Sequence, residues 1–121
     1  MNPVYKKIFV IDDEPSIREV IGLILARAGY SVTTSEDGSE ITALTNDLPD
    51  LFIIDILLAG KDGREITRAL KENSLTKNIP VILISAHASA SSSFAECMAD
   101  DFIAKPFDMK SLLSKVATYV H

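Results

Sequence analysis

The sequence has little of what marks several protein classes. Cys97 is the single cysteine among 121 residues, which excludes a disulfide framework within the chain and a cysteine metal cluster. This favours a reducing compartment, and we expect a cytoplasmic protein. Every apolar run is far shorter than the roughly 20 residues of a membrane-spanning helix. The formal net charge of −5 argues against nonspecific binding to nucleic acid or to anionic lipid, and we expect neither a nucleic acid nor a membrane as a partner of this domain.

The length predicts a single domain over residues 1–121. The first residues, MNPVYKK, lead directly into the first predicted strand, and we expect no signal peptide there. Hydrophobic residues make up 47% of the chain, enough for a modest core. No internal repeat and no linker divides the sequence, and the serine-rich run at 88–93 is its one biased segment.

Strand patterns alternate with helix patterns along the whole chain. The predicted strands are Tyr5–Ile11, Tyr30–Thr34, Leu51–Asp55, Pro80–Ile84 and Phe102–Ala104. Helical spacing follows each strand, with the apolar positions Ile17, Val20, Ile21, Ile24 and Ala28; Ile41, Leu44 and Leu48; Ile66, Ala69 and Leu70; a weak segment at Ser91–Met98; and Met109, Leu112, Leu113, Val116 and Val120. Pro15 suits the first turn of the first helix, Gly29 its end, and Gly60–Gly63 a loop. Five such units predict an α/β fold, namely a flavodoxin-like, doubly wound, five-stranded parallel sheet of order 2-1-3-4-5 with five helices.

Asp55 interrupts an apolar run that is typical of a strand buried on both faces. A buried, unpaired carboxylate is costly, so we place Asp55 at the end of the strand, where ligands bind in open α/β sheets. Asp12 and Asp13 follow the first strand, Ser85 the fourth and Lys105 the fifth. These side chains should therefore meet at one edge of the sheet.

Three converging carboxylates repel one another and require a cation. Their hard oxygen atoms suit Mg²⁺, which keeps several waters and often bridges to phosphate. Lys105 adds a positive charge on the other side. A carboxylate beside Mg²⁺ and a lysine is a nucleophile arranged for phosphoryl transfer.

The segments that carry this pattern are IDDEPS at 11–16, DILLAGKDG at 55–63, SA at 85–86 and DDFIAKPFD at 100–108. Together, and in this order, they resemble the receiver domain of bacterial two-component response regulators, over nearly the whole chain. The resemblance implies a phosphoacceptor, not an enzyme acting on a separate substrate. Its partners would be a sensor histidine kinase or a histidine phosphotransfer protein, and a separate downstream protein that is unknown.

The resemblance also implies a role for each site residue. Asp55 would accept the phosphoryl group, and Lys105 would contact its oxygen atoms. Asp13 would bind Mg²⁺ directly and Asp12 largely through water, with Asp55 and the backbone carbonyl of Leu57 completing the ligands. Ser85 would be the hydroxyl switch residue and Phe102 its aromatic partner. The bond between Lys105 and Pro106 would be cis.

Other interpretations stay open at this point. Asp12 and Asp13 could cap a helix, Asp55 could be a loop carboxylate, and Ser85, Phe102 and Lys105 are more often a turn hydroxyl, a core residue and a solvated lysine. The chain could be a receiver fragment of a larger hybrid kinase or multidomain regulator. A phosphohydrolase would usually carry a second aspartate where Leu57 stands. A receiver-like module that is never phosphorylated would be expected to lack an acidic residue, the hydroxyl or the lysine.

The sequence departs from the family pattern in two regions. Ala59 stands where proline is usual, and Met98 where glycine is common. Residues 85–99 also form a shorter stretch than is usual. We expect Cys97 and Met98 to face the core and the serine-rich segment Ala88–Met98 to be mobile. This segment, the strand at Phe102 and the last helix are the expected output surface.

Overall fold

The computed structural model describes residues 5–39, 41, 47–58, 60–86 and 97–120. In chain order, the elements of these ranges are β1 (Lys7–Ile11), α1 (Pro15–Arg27), β2 (Ser31–Ser35), β3 (Leu51–Asp55), β4 (Leu57–Leu58), β5 (Lys61–Asp62), α2 (Gly63–Glu72), β6 (Val81–Ser85), β7 (Asp101–Ala104) and α3 (Met109–Tyr119).

The main sheet is parallel and has the strand order β2-β1-β3-β6-β7. When the strands of this sheet are numbered by themselves, β6 and β7 are its fourth and fifth strands, and the order becomes 2-1-3-4-5. The predicted flavodoxin-like fold is therefore confirmed. The strand bounds differ from the predicted ones by no more than two residues. The order reverses direction between β1 and β3, which makes their carboxyl ends the switch point where a ligand site is expected.

Each central strand is buried on both faces, which explains its continuous apolar sequence. Along β1, Ile8 and Val10 face one apolar cluster, and Phe9 and Ile11 face the other. The first cluster packs against α1 and α3 through Ile21, Leu25, Leu112 and Val116, and the second packs against α2 through Leu70. Burying one such side chain stabilises the fold by about 1.5–3 kcal/mol. The sheet is thereby packed between α1 and α3 on one face and α2 on the other.

Three of the predicted helices are present as α1, α2 and α3. The other two, at Ile41–Leu48 and Ser91–Met98, lie largely outside the described residues, as does most of the segment Ala88–Met98 that we expect to be mobile. Within the described ranges, every helix is too short or too polar to cross a bilayer.

Three local predictions were wrong. The predicted loop Gly60–Gly63 contains β5, which pairs with β4 in a short antiparallel ladder, and its last residue already begins α2. The predicted apolar positions Val20 of α1 and Met109, the first residue of α3, are both exposed, because they lie beside each other and Leu23 at the surface. Met98 is 47% exposed and has a φ of 70°, so it turns the chain at the surface, whereas its neighbour Cys97 is buried as predicted.

Asp101 anchors the start of β7 to α3. Its carboxylate accepts hydrogen bonds from Lys115 Nζ at 2.8 Å and from the Tyr119 hydroxyl at 3.0 Å. It also accepts the backbone N–H of Phe102 at 2.8 Å. Burial acts to raise the pKa of Asp101, but these hydrogen bonds outweigh it and hold the pKa below its ordinary value. The charged form of Asp101 therefore stabilises the attachment of α3.

Candidate functional site

Three carboxylates meet at the carboxyl edge of the sheet. Ile11 of β1 lies opposite Ile54 of β3, so Asp12 follows one strand at the level where Asp55 ends the other. One carboxylate oxygen from each of Asp12, Asp13 and Asp55 lies within 4.8 Å of the other two. The predicted convergence is therefore present in the fold.

Lys105 joins two of these carboxylates. Its Nζ atom donates to Asp12 Oδ2 at 3.0 Å and to Asp55 Oδ2 at 3.1 Å. Asp12 is only 1% exposed and Asp55 only 5%, so both charges have lost most of their water. The one positive charge of Lys105 is smaller than the charge of two ionised buried carboxylates and the adjacent Asp13 together.

Short-range hydrogen bonds hold Asp12 in place. Its Oδ1 atom accepts the backbone N–H of Glu14 at 2.9 Å, and its backbone carbonyl accepts Arg18 Nη1 at 2.7 Å. Glu14, and not an aspartate, is the N-terminal cap of α1, and it makes no side-chain capping bond. The helix-cap interpretation of the Asp12–Asp13 pair is therefore wrong. The contact from Arg18 has no signal in the sequence beyond its position one turn into the helix.

The pKa values of the site reflect its crowding. Burial raises the pKa of Asp55; the hydrogen bond from Lys105 opposes this shift, and the negative charge of Asp12 adds to it. Burial alone would lower the pKa of Lys105, but its hydrogen bonds to Asp12 and Asp55 outweigh burial and raise it. A further cation beside Asp55 would favour its ionised form.

The donor set suits a hard divalent cation. All three groups are carboxylates, two of them are buried, and no nitrogen or sulfur donor belongs to the cluster among the described residues. Oxygen-only donors with open positions are typical of Mg²⁺ sites, whereas Zn²⁺ sites usually include histidine or cysteine.

The end of β7 places Lys105. Ala104 pairs in register with Ser85 of β6, and the backbone N–H of Lys105 donates to the Ser85 carbonyl at 2.8 Å. The peptide bond between Lys105 and Pro106 is cis, which is the isomer that the resemblance implies.

Ser85 and Phe102 lie on the neighbouring strands β6 and β7. Ser85 is buried and follows the register partner of Asp55 by one residue. Phe102 pairs in register with Leu83, two residues before Ser85, and packs on the α2 side of the sheet. Strand alternation gives Leu83 and Ser85 the same face. Ser85 and Phe102 are thus arranged on the same face of the sheet, on adjacent strands.

Two features beside Asp55 have no strong signal in the sequence. The side chain of Leu57 is 55% exposed although it belongs to an apolar run, and its backbone N–H donates to Asp55 Oδ1 at 3.4 Å. Gly63, predicted as part of a loop, begins α2 against the carbonyl of Asp55. Both depend on how the chain turns after β3.

The sequence is similar to that of known proteins over most of its length. The family model of the response regulator receiver domain matches residues 8–117. The phosphate regulon transcriptional regulatory protein PhoB of Pseudomonas aeruginosa is 37% identical over 116 residues, which cover 93% of this chain and 51% of that protein. The chain spans about half the length of the curated relatives it matches.

Solved structures show the same architecture. A putative response regulator from Chloroflexus aurantiacus superposes with a TM-score of 0.90 and 30% identity, covering 96% of this chain and 98% of that one. The response regulator protein TrrA from Thermotoga maritima, solved in complex with Mg²⁺-BeF, gives a TM-score of 0.84 and 32% identity, covering 95% of this chain and 99% of that one.

Proposed function

The chain belongs to the response regulator receiver domain family, and we propose that Asp55 is its phosphoacceptor, taking a phosphoryl group from a phosphohistidine. The observation that carries this proposal is the position of Lys105 Nζ, 3.0 Å from Asp12 and 3.1 Å from Asp55. Lys105 thereby places a positive charge against Asp55 at the end of β3, and the carboxylates of Asp12 and Asp13 lie close to the same residue.

The proposed metal is Mg²⁺. Its ligands would be Asp12, Asp13, Asp55 and the backbone carbonyl of Leu57, with Asp13 binding directly and Asp12 largely through water. When bound, Mg²⁺ would neutralise charge on the phosphoryl oxygens and keep Asp55 ionised. The fit of the three carboxylates to a hard cation supports this assignment.

In the proposed transfer, a carboxylate oxygen of Asp55 attacks phosphorus in line with the P–N bond of the donor. The P–O bond forms as the P–N bond breaks, and the imidazole nitrogen leaves with the electron pair. Lys105 stabilises the negative charge on the phosphoryl oxygens from the side of β7. The product is an acyl phosphate with roughly one additional negative charge at the sheet edge.

The added charge is the proposed signal. The Ser85 hydroxyl would move to donate to a phosphoryl oxygen, and Phe102 would fill the space that Ser85 leaves. The surface formed by the segment at 91–98, the strand with Phe102, and α3 would then bind a downstream protein. The shared face of Ser85 and Phe102 supports this coupling.

A sensor histidine kinase or a histidine phosphotransfer protein is the proposed donor. We propose that residues 1–121 form one receiver domain, which acts as a phosphoacceptor that assists its own phosphorylation and dephosphorylation. The match of the family model to residues 8–117 supports this division.

Intact-mass spectrometry after incubation with acetyl phosphate and Mg²⁺ tests the proposal. The expected result is a mass gain of one phosphoryl group that is lost in Asp55→Asn and in samples with EDTA. Asp37→Asn is the matched control, because Asp37 lies in the loop after β2 and caps the backbone of Ser39. Labelling that persists in Asp55→Asn would show that another residue is the acceptor.

Asp13→Ala tests the metal assignment separately. This variant should bind Mg²⁺ at least tenfold more weakly in a calorimetric titration and should not be phosphorylated, because a ligand and its charge are removed. Wild-type Mg²⁺ affinity in Asp13→Ala would refute the assigned ligand set.

A further inference from the structure

Gly63 makes a close backbone contact with the proposed phosphoacceptor. It is the first residue of α2 and is buried. A Cβ atom added to it would lie 2.1 Å from the backbone oxygen of Asp55 and 2.9 Å from its carbonyl carbon. Real Cβ contacts are essentially never shorter than 3.0 Å. The approach of α2 to the end of β3 therefore depends on the missing side chain.

The requirement for glycine here is one of space. The glycines with left-handed backbone conformations are Gly29, Gly38 and Gly60, and Gly63 is not among them. An alanine could adopt the same dihedral angles, but it would overlap a backbone carbonyl, which cannot rotate away as a flexible side chain can. In such a variant, the backbone must shift either at the start of α2 or at Asp55.

Hydrogen bonds restrain both sides of this contact. The backbone N–H of Gly63 donates to the Ile56 carbonyl at 2.8 Å, and its own carbonyl accepts the buried Thr67 hydroxyl at 2.9 Å. On the strand side, the backbone N–H of Ile56 donates to the Ile84 carbonyl at 3.0 Å. The first turn of α2 and the end of β3 are thus bound to each other through the residue after Asp55, and a displacement of one moves the other.

We propose that Gly63 is a positioning residue for Asp55, and this inference rests on the proposed phosphoacceptor function. By letting the first turn of α2 close on the Asp55 carbonyl, Gly63 sets where the carboxylate stands relative to Lys105 and to the metal-binding aspartates. Relief of the overlap in an alanine variant requires a shift of about 1 Å, and misplacement by that distance slows an oriented reaction by up to about 100-fold.

Gly63→Ala tests the proposal, with Gly22→Ala as the matched control. Gly22 lies in α1, and the atom nearest to an added Cβ is Thr34 Cγ2 at 3.9 Å, an ordinary contact. We expect Gly63→Ala to be phosphorylated by acetyl phosphate at least about tenfold more slowly than wild type and to bind Mg²⁺ more weakly. Gly22→Ala should retain both properties.

The measurements separate positioning from stability. Rates and Mg²⁺ affinities are determined well below the melting temperature of each variant and are expressed per folded molecule by far-UV circular dichroism. A purely structural Gly63 would lower the melting temperature and leave both quantities unchanged. That result would overturn the proposal.

A second variant tests the proposal if the Gly63→Ala protein does not fold. Thr67→Val keeps the side-chain shape but removes the hydrogen bond to the Gly63 carbonyl, which loosens the first turn of α2. In that case a folded Thr67→Val protein with slower phosphorylation supports the proposal, and one with the wild-type rate overturns it. If wild type is not labelled, or Asp55→Asn is, the proposed function fails instead.

Discussion

Replacing Lys105 by methionine removes the ammonium that contacts both buried carboxylates of the site. Methionine keeps an unbranched side chain that is one atom shorter than lysine, and it deletes the charge. Asp12 and Asp55 would then face each other at the sheet edge without the group that now lies 3.0 Å and 3.1 Å from their oxygens. We expect a large loss of folding free energy in the absence of Mg²⁺.

Two opposing quantities set the size of this loss. At an effective dielectric constant of about 20, each pair of charges contributes roughly 5 kcal/mol of attraction at 3 Å. The carboxylates can limit the damage by binding a proton, and protonating an aspartate of ordinary pKa at pH 7 costs about 4 kcal/mol. The raised pKa of Asp55 makes protonation easier there. The expected decrease in unfolding free energy is therefore about 2–4 kcal/mol, near the range for a broken buried ion pair.

Urea unfolding at pH 7 in EDTA measures this loss, followed by far-UV circular dichroism because the chain has no tryptophan. Lys115→Met is the matched control. Its ion pair with Asp101 is more exposed, and its loss should cost less than about 1 kcal/mol. Saturating Mg²⁺ should narrow the difference between Lys105→Met and wild type, because the cation compensates the same carboxylates.

A double-mutant cycle with Asp55→Asn then assigns the effect. In the Asp55→Asn background, Lys105→Met should cost at least about 1 kcal/mol less, since one of the two carboxylates is gone. Equal stability of Lys105→Met and wild type in EDTA would refute the reasoning. So would a cycle without coupling, because Asp55 would then not be the partner that makes Lys105 important.

Three further predictions concern the surroundings of the site. Leu57→Asn should hasten loss of the acyl phosphate from Asp55 in a mass-spectrometric time course. The exposed leucine offers attacking water no hydrogen bond and can obstruct it. An unchanged or slower decay would count against a role of Leu57 in shielding the acyl phosphate from water. Met98→Gly should raise the unfolding free energy by about 0.5–1 kcal/mol. A φ of 70° is strained for methionine, and the relief of this strain exceeds the entropy that glycine loses on folding. A destabilised variant in urea unfolding would contradict this. The lowered pKa of Asp101 means that its contribution to stability is present above about pH 4 and is lost as the pH falls through the lower folded value. Asp101→Asn should therefore lose less stability than wild type between pH 5 and pH 2 (roughly the window in which such carboxylates titrate), and parallel acid-unfolding curves would argue against it.

The fold was predictable because its signals are local in the chain. Apolar runs such as Leu51–Ile54 are buried on both faces of a parallel sheet, and they alternate with helical spacing such as that of Ile17–Ile24. Right-handed crossovers leave few orders for five such strands, and the observed order is the predicted one. Errors arose at ends and turns, at Met98, Met109 and Gly63, where a residue's surroundings come from other parts of the chain.

The sequence also placed Asp12, Asp13, Asp55 and Lys105 at one edge of the sheet, because parallel strands end together and each residue follows a strand. Which atoms meet was decided by the tertiary structure. Residues far apart in the chain make these contacts. Lys105 reaches Asp12 and Asp55 over 93 and 50 positions. Arg18 donates to the Asp12 backbone over 6 positions, and Gly63 approaches the Asp55 carbonyl across a turn. Spacing along the chain carries no information about such distances, because they depend on how α1, α2 and β7 pack against the sheet.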